Sequence, residues 1–517
     1  MASHIRHRNP SPPTNLAPYC SSPRYRSIQD IDVVVVGAGL SGLQAATDVQ
    51  NAGFSCVVLE AKDRVGGKTL STTVEHGPGV LDLGAAWIND RTHYKMYALF
   101  KKFGLDPIIQ RTEGDELFRM SAKDPSIRTR SPGLPGVEEV QRAMFDRISH
   151  DMDADCMSVN LHDATANSHV KDISLGEYLR QKVADGFALG FWTALINDIT
   201  GTEPDDIGLV YWLDYVKSAG GVESLLSDGP NGAQYMTNRH GMVFFGIEKD
   251  QVRRLTEGMT GNQTISKRLA EGLEPSSVYL NCPVNGIIQT STGAIIETLS
   301  GDAFRARKVL ISVPTPLYRH IKFSPHLPAD KQEYADSVQL GPYCKCILIY
   351  SNPWWREAGF NGSFIDLSGP VVFSRDVSSD ADEMYAISCL IGGKYAHEWS
   401  RLPVSRRANA VKDQLASMMG PEHGKRIYDT IQTIEKAWAK EPFIEGVPCP
   451  MPAPGGIWPR LGNALRRPFG NVHFIGTETA FEWKGYMEGA VRAGERGALE
   501  VVADLQAADG RRLPSTL

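Results

Sequence analysis

Apolar positions in this chain fall into short unbroken runs and longer runs with helical spacing, and the two alternate along its length. Residues 33–36 are four consecutive valines, the pattern of a strand buried on both faces of a parallel sheet. Residues 43–51 have helical composition, and Cys56–Leu59 reads as a second strand. Residues 80–83 form a short alternating segment, and 94–103 an amphipathic helix. From about 112 to 246, helical patterns (138–148, 175–184, 209–216) are broken by polar and glycine-rich loops. Strand–helix alternation returns near Gln251, with a helix over 264–272 and a strand over 278–280. A hairpin series follows over 286–290, 294–299 and 303–306, and 308–313 reads as a further buried strand. Cys344–Tyr350 and Tyr385–Ile391 read as strands on either side of an irregular stretch, 352–380. Residues 406–419 and the segment around Ile427 read as helical. The last unit is a strand over 472–475, then a helix from about 485 to 505.

This order predicts an α/β fold: a discontinuous Rossmann-like dinucleotide-binding domain with an interleaved α+β second domain. The nucleotide domain takes residues 29–111, 247–325 and 438–506. The second domain takes 112–246, mostly helical, and 326–437. Residues 1–28 and 507–517 read as tails, the first disordered. No internal repeat is evident.

The chemistry starts between the first two strands. Gly37, Gly39 and Gly42 stand at G-x-G-x-x-G spacing, directly after a strand and at the start of a helix. The three glycines serve, in turn, the tight turn, the close approach of backbone to a pyrophosphate, and close helix–strand packing. The helix N-terminus offers free N–H groups to phosphate. Glu60 ends the second strand, where an acid can bond an adenosine ribose hydroxyl.

Composition narrows the class without adding chemistry. At 517 residues the chain has room for two cores, and 42% hydrophobic with 22% charged residues is ordinary soluble composition. A formal charge of −6 gives no reason to expect nucleic acid as a partner. Eight cysteines without a C-x-x-C pair, several in apolar runs, read as buried thiols in a reducing, intracellular and by preference cytoplasmic setting. Neither they nor the 13 histidines show metal-ligand spacing, so no metal is expected. No run approaches the roughly 20 apolar residues of a membrane span. The terminal Ser515-Thr516-Leu517 only partly matches the peroxisomal S-K-L address, which stays as a second location. A homo-oligomer is left open.

Three stretches resemble the flavin monoamine oxidase family: the glycine unit with EAKDRVGGK, the strand CKCILIY, and GTETAFEWKGYMEGAVRAGER near the end. The resemblance implies an FAD domain in the three nucleotide pieces and a substrate domain with a mixed sheet flanked by helices. It implies that Gly37, Gly39, Leu40, Ser41 and Gly42 form the pyrophosphate loop and Glu60 the ribose acid. Ala61, Lys62, Arg64, Gly67 and Lys68 complete that side of the cradle. Gly84, Ala85, Ala86 and Trp87 run past the flavin, Val284 meets the adenine, and Gly476, Thr477 and Glu478 form a second phosphate-binding turn. Met487 directs its amide at the flavin pyrimidine edge.

The resemblance also assigns catalytic roles. Lys345 corresponds to a lysine that holds a water beside the flavin and assists reaction with oxygen. On its own, a lysine in such a strand faces solvent or is buried for a purpose. Tyr486 corresponds to one ring of an aromatic pair that flanks the amine, and Trp438 to a tryptophan near the flavin; each would otherwise be a core aromatic. Three departures matter. Val447 stands where mammalian members carry a flavin-linking cysteine, with Cys449 two residues on, so non-covalent FAD is expected. Pro448 stands where the second ring should be, and Ser218 where a substrate-contacting glutamine is expected, which together imply a wider pocket.

The expected activity is oxidation of a bulky or long-chain primary amine by FAD and O2, giving aldehyde or ketone, ammonia and hydrogen peroxide. The alternatives are a polyamine oxidase, for which Glu482 is a candidate acid, an L-amino-acid oxidase, or a non-catalytic flavin-binding protein.

Overall fold

The computed structural model describes residues 28–76, 79–130, 139–183, 186–237 and 261–510. The N-terminal tail, the boundary expected at 246/247, Gln251 and the Ser515-Thr516-Leu517 triplet lie outside the described residues.

The four valines sit at the centre of an eight-stranded sheet, within the strand Ile28–Val36. That strand pairs in parallel with Cys56–Leu59 on one side and Ala303–Ile311 on the other. Alternating side chains supply two cores, which is why the run has no polar member. Val33 and Val35 pack with Leu43, Ala46 and Val491 beneath two helices, Leu40–Asn51 and Met487–Ala508. Val34 and Val36 pack with Ile287, Ile296 and Phe323 on the opposite face. Each fully buried valine contributes about 1.5–3 kcal/mol. The two helices approach closely because Gly494 carries no Cβ; one placed there would lie 2.4 Å from the Ser41 carbonyl oxygen.

The hairpin series forms as Val284–Thr290 and Gly293–Thr298, followed by one long strand, Ala303–Ile311, in place of the two expected over 303–306 and 308–313. Its first half pairs with Gly293–Thr298 and its second half with Val472–Phe474, while Ile28–Val36 runs alongside throughout. A change of neighbour on one edge accounts for the break in pattern read from the sequence.

The second sheet has seven strands in the order Gln432–Ala437, Cys344–Tyr350, Tyr385–Ile391, Phe373–Asp376, Phe360–Asp366, Asp115–Arg119, Ile127–Arg130. One pairing, Phe360–Asp366 with Asp115–Arg119, is parallel, so the sheet is mixed. The stretch 352–380 is therefore not irregular: it holds a short helix, Trp354–Glu357, and two of these strands. Gly362, at φ +88°, and a register shift between Phe360 and Phe364 disturb the two-residue alternation. The mostly helical stretch 112–246 likewise lends this sheet two strands, Asp115–Arg119 and the edge strand Ile127–Arg130. It also contains Gly186–Thr200, an apolar helix that the sequence patterns above did not mark.

Candidate active site

The glycine unit folds as its spacing requires. Gly37 lies at φ +100°, and a Cβ on Gly42 would stand 2.1 Å from the Gly37 carbonyl oxygen. Above Gly39 a Cβ would meet nothing within 4 Å, so open space lies where backbone would approach a phosphate. Gly39 caps the helix Leu40–Asn51 without a side-chain hydrogen bond, leaving the amides of Leu40 and Ser41 in its first turn for an anion. Glu60 is buried; its carboxylate accepts from the Ala38 amide at 2.7 Å and the Lys62 amide at 2.9 Å. Burial pushes its carboxyl up, against those bonds. Ala61 follows it. Asn281 and Cys282 bond back to the Lys62 and Glu60 carbonyls, which brings Val284, at the start of its strand, to the same end of the cradle.

The Gly66–Gly67 turn pairs with Gly39, and Arg64 donates to the Gly67 carbonyl at 3.0 Å. Lys62 and Arg64 share Glu441, at 2.6 and 3.9 Å. Lys68 donates to the Pro448 carbonyl at 2.7 Å. At the second turn, Glu478 accepts from the amide and hydroxyl of Thr315, both at 2.8 Å, while its other oxygen is buried without a partner. Thr477 donates to the Tyr486 carbonyl at 2.8 Å. Met487 opens the last helix, again without a side-chain cap. Open space over Gly39, two uncapped helix N-termini and an unpartnered buried carboxylate oxygen fit a dinucleotide.

This cradle opens into a cavity of about 250 Å³ lined by Gly84–Trp87, Lys345, Trp438, Pro448, Tyr486 and Met487, among others. Lys345 is 4% exposed, which removes the solvent-facing reading. Its ammonium donates to the carbonyls of Gly84 at 2.8 Å and Asp82 at 3.2 Å and lies 5.4 Å from the Trp87 ring centre. Trp438 is buried and donates from Nε1 to the Leu83 carbonyl at 3.1 Å. Both contacts hold the segment 82–87 from the side of the second sheet. Tyr486 has Trp483 at 4.9 Å and Tyr215 at 6.1 Å between ring centres. These rings, with Tyr343, make the cavity aromatic even though Pro448 supplies none.

Two sequence expectations change. Ser218 does not line this cavity; its hydroxyl donates to the Tyr215 carbonyl at 2.7 Å, closing the end of its own helix. Glu482 is 56% exposed on its side chain and pairs with Arg492 at 3.0 Å, away from the lining. Cys449 is fully buried with its sulfur 3.5 Å from the Tyr211 hydroxyl, and burial and Glu478 push the thiol up to about 12.

A polar group in the cavity was not visible from the sequence. Asp198, on the helix Gly186–Thr200, accepts from the Tyr343 hydroxyl at 3.0 Å. Burial raises its carboxyl, against Arg375 and that hydrogen bond. Arg375 in turn donates to Asp228 at 3.0 Å. All four line the cavity. His93 lines it too, with burial and Arg492 holding the imidazole down at about 3. A lone carboxylate in the apolar run GFALGFWTALINDIT was the only sequence signal.

A cradle that fits a dinucleotide and opens into a largely aromatic cavity places the protein among flavin-dependent oxidoreductases of small molecules. The chain belongs to the flavin-containing amine oxidoreductase family, whose model matches residues 40–502. It is 30% identical to a probable flavin-containing monoamine oxidase A of Dictyostelium discoideum, covering 91% of this chain and 97% of that one. It is also 30% identical to the human flavin-containing amine oxidase B, over 91% and 86% of the two chains. Among solved structures, cyclohexylamine oxidase from Brevibacterium oxydans matches with a TM-score of 0.81 at 28% identity, over 92% of this chain and all of that one. A putrescine-bound putrescine oxidase matches equally well in fold, at 25% identity. The protein is a flavin amine oxidoreductase, and FAD is its cofactor. Among the described residues no helix is long and apolar enough to cross a membrane.

Proposed function

We propose that the protein oxidises a primary amine to an aldehyde or ketone, releasing ammonia and hydrogen peroxide, and that it accepts a bulky or long-chain amine. The observation that carries this reading is the buried Lys345 ammonium, fixed on the Gly84 carbonyl at the edge of an aromatic cavity. FAD, when bound, supplies the two-electron acceptor for the hydrogen leaving the α-carbon and passes the electrons to O2. The residues do the rest. Tyr486, Tyr215 and Trp483 exclude water and present ring faces that guide an amine. Lys345 offers a fixed positive charge where oxygen is reduced. Water hydrolyses the released imine to the carbonyl product and ammonia.

FAD is held non-covalently in this proposal. The burial of Cys449 against Tyr211 supports it, because only a thiolate attacks and this thiol stays protonated. The division of the FAD domain into 29–111, 247–325 and 438–506 belongs to the same proposal. So does an intracellular setting, supported by the seven cysteines among the described residues, all buried and unpaired. Arg375 is already engaged by Asp228, which weighs against a clamp for an amino-acid carboxylate.

The test is anaerobic mixing of the purified yellow protein with benzylamine, alkylamines, spermidine and an L-amino acid. Bleaching by an amine, then recovery with peroxide on admitting air, is the expected result. A yellow protein that none of the panel bleaches would overturn the oxidase reading.

A further inference from the structure

The cavity is lined mainly by aromatic and aliphatic side chains, yet it contains a carboxylate that its own fold does not fully use. Asp198 sits near the end of the helix Gly186–Thr200, whose Phe187, Phe191, Trp192 and Ile196 are buried. Its residue is only half-buried because it faces the cavity. One carboxylate oxygen accepts from the Tyr343 hydroxyl at 3.0 Å. Among the described residues, no hydrogen-bond donor reaches the other. Arg375, the nearest strong cation, spends its Nε on Asp228.

Asp198, Tyr343 and Arg375 come from three distant parts of the chain: a helix, the residue before the strand Cys344–Tyr350, and the strand Phe373–Asp376. Packing alone does not call for them. A carboxylate facing an apolar cavity is costly unless a donor arrives to bond it. The reaction itself needs no carboxylate, since FAD carries the redox chemistry.

We propose that Asp198, oriented by Tyr343, is a specificity-determining residue that bonds a second hydrogen-bond donor carried on the amine's chain, a hydroxyl or a second ammonium. This rests on the amine oxidase reading and narrows it. Tyr343 holds the carboxylate by one oxygen and turns the other to the ligand; Arg375 and Asp228 close the polar wall beside it. A plain alkylamine would enter the same cavity and leave that oxygen unpaired, so the site selects against it by omission.

The test compares octylamine, octylamine with a terminal hydroxyl, and the terminal diamine of the same length. Wild-type enzyme, Asp198→Asn and Tyr343→Phe are each assayed for kcat/KM, with FAD content and melting temperature recorded. In wild type, at least one donor-bearing amine is expected to exceed octylamine by about ten- to a hundredfold in kcat/KM. In Asp198→Asn that ratio collapses towards one, and in Tyr343→Phe it falls part of the way. Which of the two amines shows the preference identifies the donor as hydroxyl or ammonium. A wild type without preference, or a ratio preserved in Asp198→Asn, overturns the proposal. So does an equal loss on all three amines, which would place Asp198 on the reacting nitrogen. Should Asp198→Asn not fold, the Tyr343→Phe ratio decides. Bleaching of the flavin by octylamine alone keeps the parent reading standing when this one fails.

Discussion

Lys345 and Gly84 join the two halves of the molecule: the lysine comes from an interior strand, second from one edge of the seven-stranded sheet, and its ammonium donates at 2.8 Å to a carbonyl of the cavity-lining segment Gly84–Trp87. A buried ammonium needs acceptors, and the Gly84 and Asp82 carbonyls are two of them. The bond can form because Gly84 has no side chain; a Cβ there would lie 2.0 Å from the Lys68 carbonyl oxygen. One contact therefore fixes both the charge and the backbone beside it.

Replacing this charge by a neutral chain of similar length separates its two effects. In Lys345→Met, reaction of the reduced enzyme with O2 is expected to slow about 10²-fold, the usual scale for losing a preorganised charge. Anaerobic reduction by amine should change far less. Stopped-flow measurement of the two half-reactions checks this; an equal loss in both would mean that Lys345 only supports the backbone.

The glycine cradle makes a sharper steric prediction. In Gly42→Ala the new methyl would sit 2.1 Å from the Gly37 carbonyl oxygen, which is backbone and cannot rotate away. The helix Leu40–Asn51 must shift, at about 1–3 kcal/mol, and its N-terminal amides shift with it. The variant should purify with little flavin and a lower melting temperature. A fully yellow Gly42→Ala protein would show that the helix needs no close approach here.

What the sequence disclosed divides along physical lines. The nucleotide unit was legible because strand, glycines, helix and acid are local and carry their own periodicities. Lys345 was visible as a residue, but strand alternation cannot say whether its face meets solvent or a cavity; the resemblance supplied that. Asp198 was not legible, because its role depends on Tyr343 and Arg375, more than a hundred residues away. The same holds for Ser218, whose place in a motif suggested substrate contact while its hydroxyl in fact closes a helix. The strands Phe360–Asp366 and Phe373–Asp376 were hidden by a glycine and a bulge, where the two-residue pattern lapses.

His93 carries a pH dependence with a definite sign. Burial and then Arg492 hold its imidazole down at about 3, against an ordinary value of 6.5. Below 6.5 the unfolded chain takes up a proton that the folded protein refuses. Stability from this group is thus complete above pH 6.5 and is lost as pH falls towards 3, at about 1.4 kcal/mol per unit. His93→Asn cannot titrate, so its unfolding free energy should fall less steeply than wild type between pH 6.5 and 4.5. Denaturant midpoints at equal FAD saturation give the comparison. Parallel curves would rule out this residue as the source of acid sensitivity.

Beneath Tyr486 lies an ion pair closed off from water: Asp214 on the helix Leu209–Ser218 and Lys484, two residues before the tyrosine, both fully buried. Lys484 also lies 5.0 Å from the Trp458 ring centre, and burial pushes its ammonium well down. Such pairs gain little net stability, since desolvating both charges offsets their attraction, yet losing one partner strands the other. Asp214→Asn should therefore cost about 3–5 kcal/mol. The double variant Asp214→Leu with Lys484→Met should recover most of that loss, because two apolar chains of similar volume need no partner. Melting temperatures of the single and double variants decide the matter. If the double variant is as unstable as the single, the pair positions the Tyr486 segment in a way that packing cannot replace, and kcat/KM should fall with it.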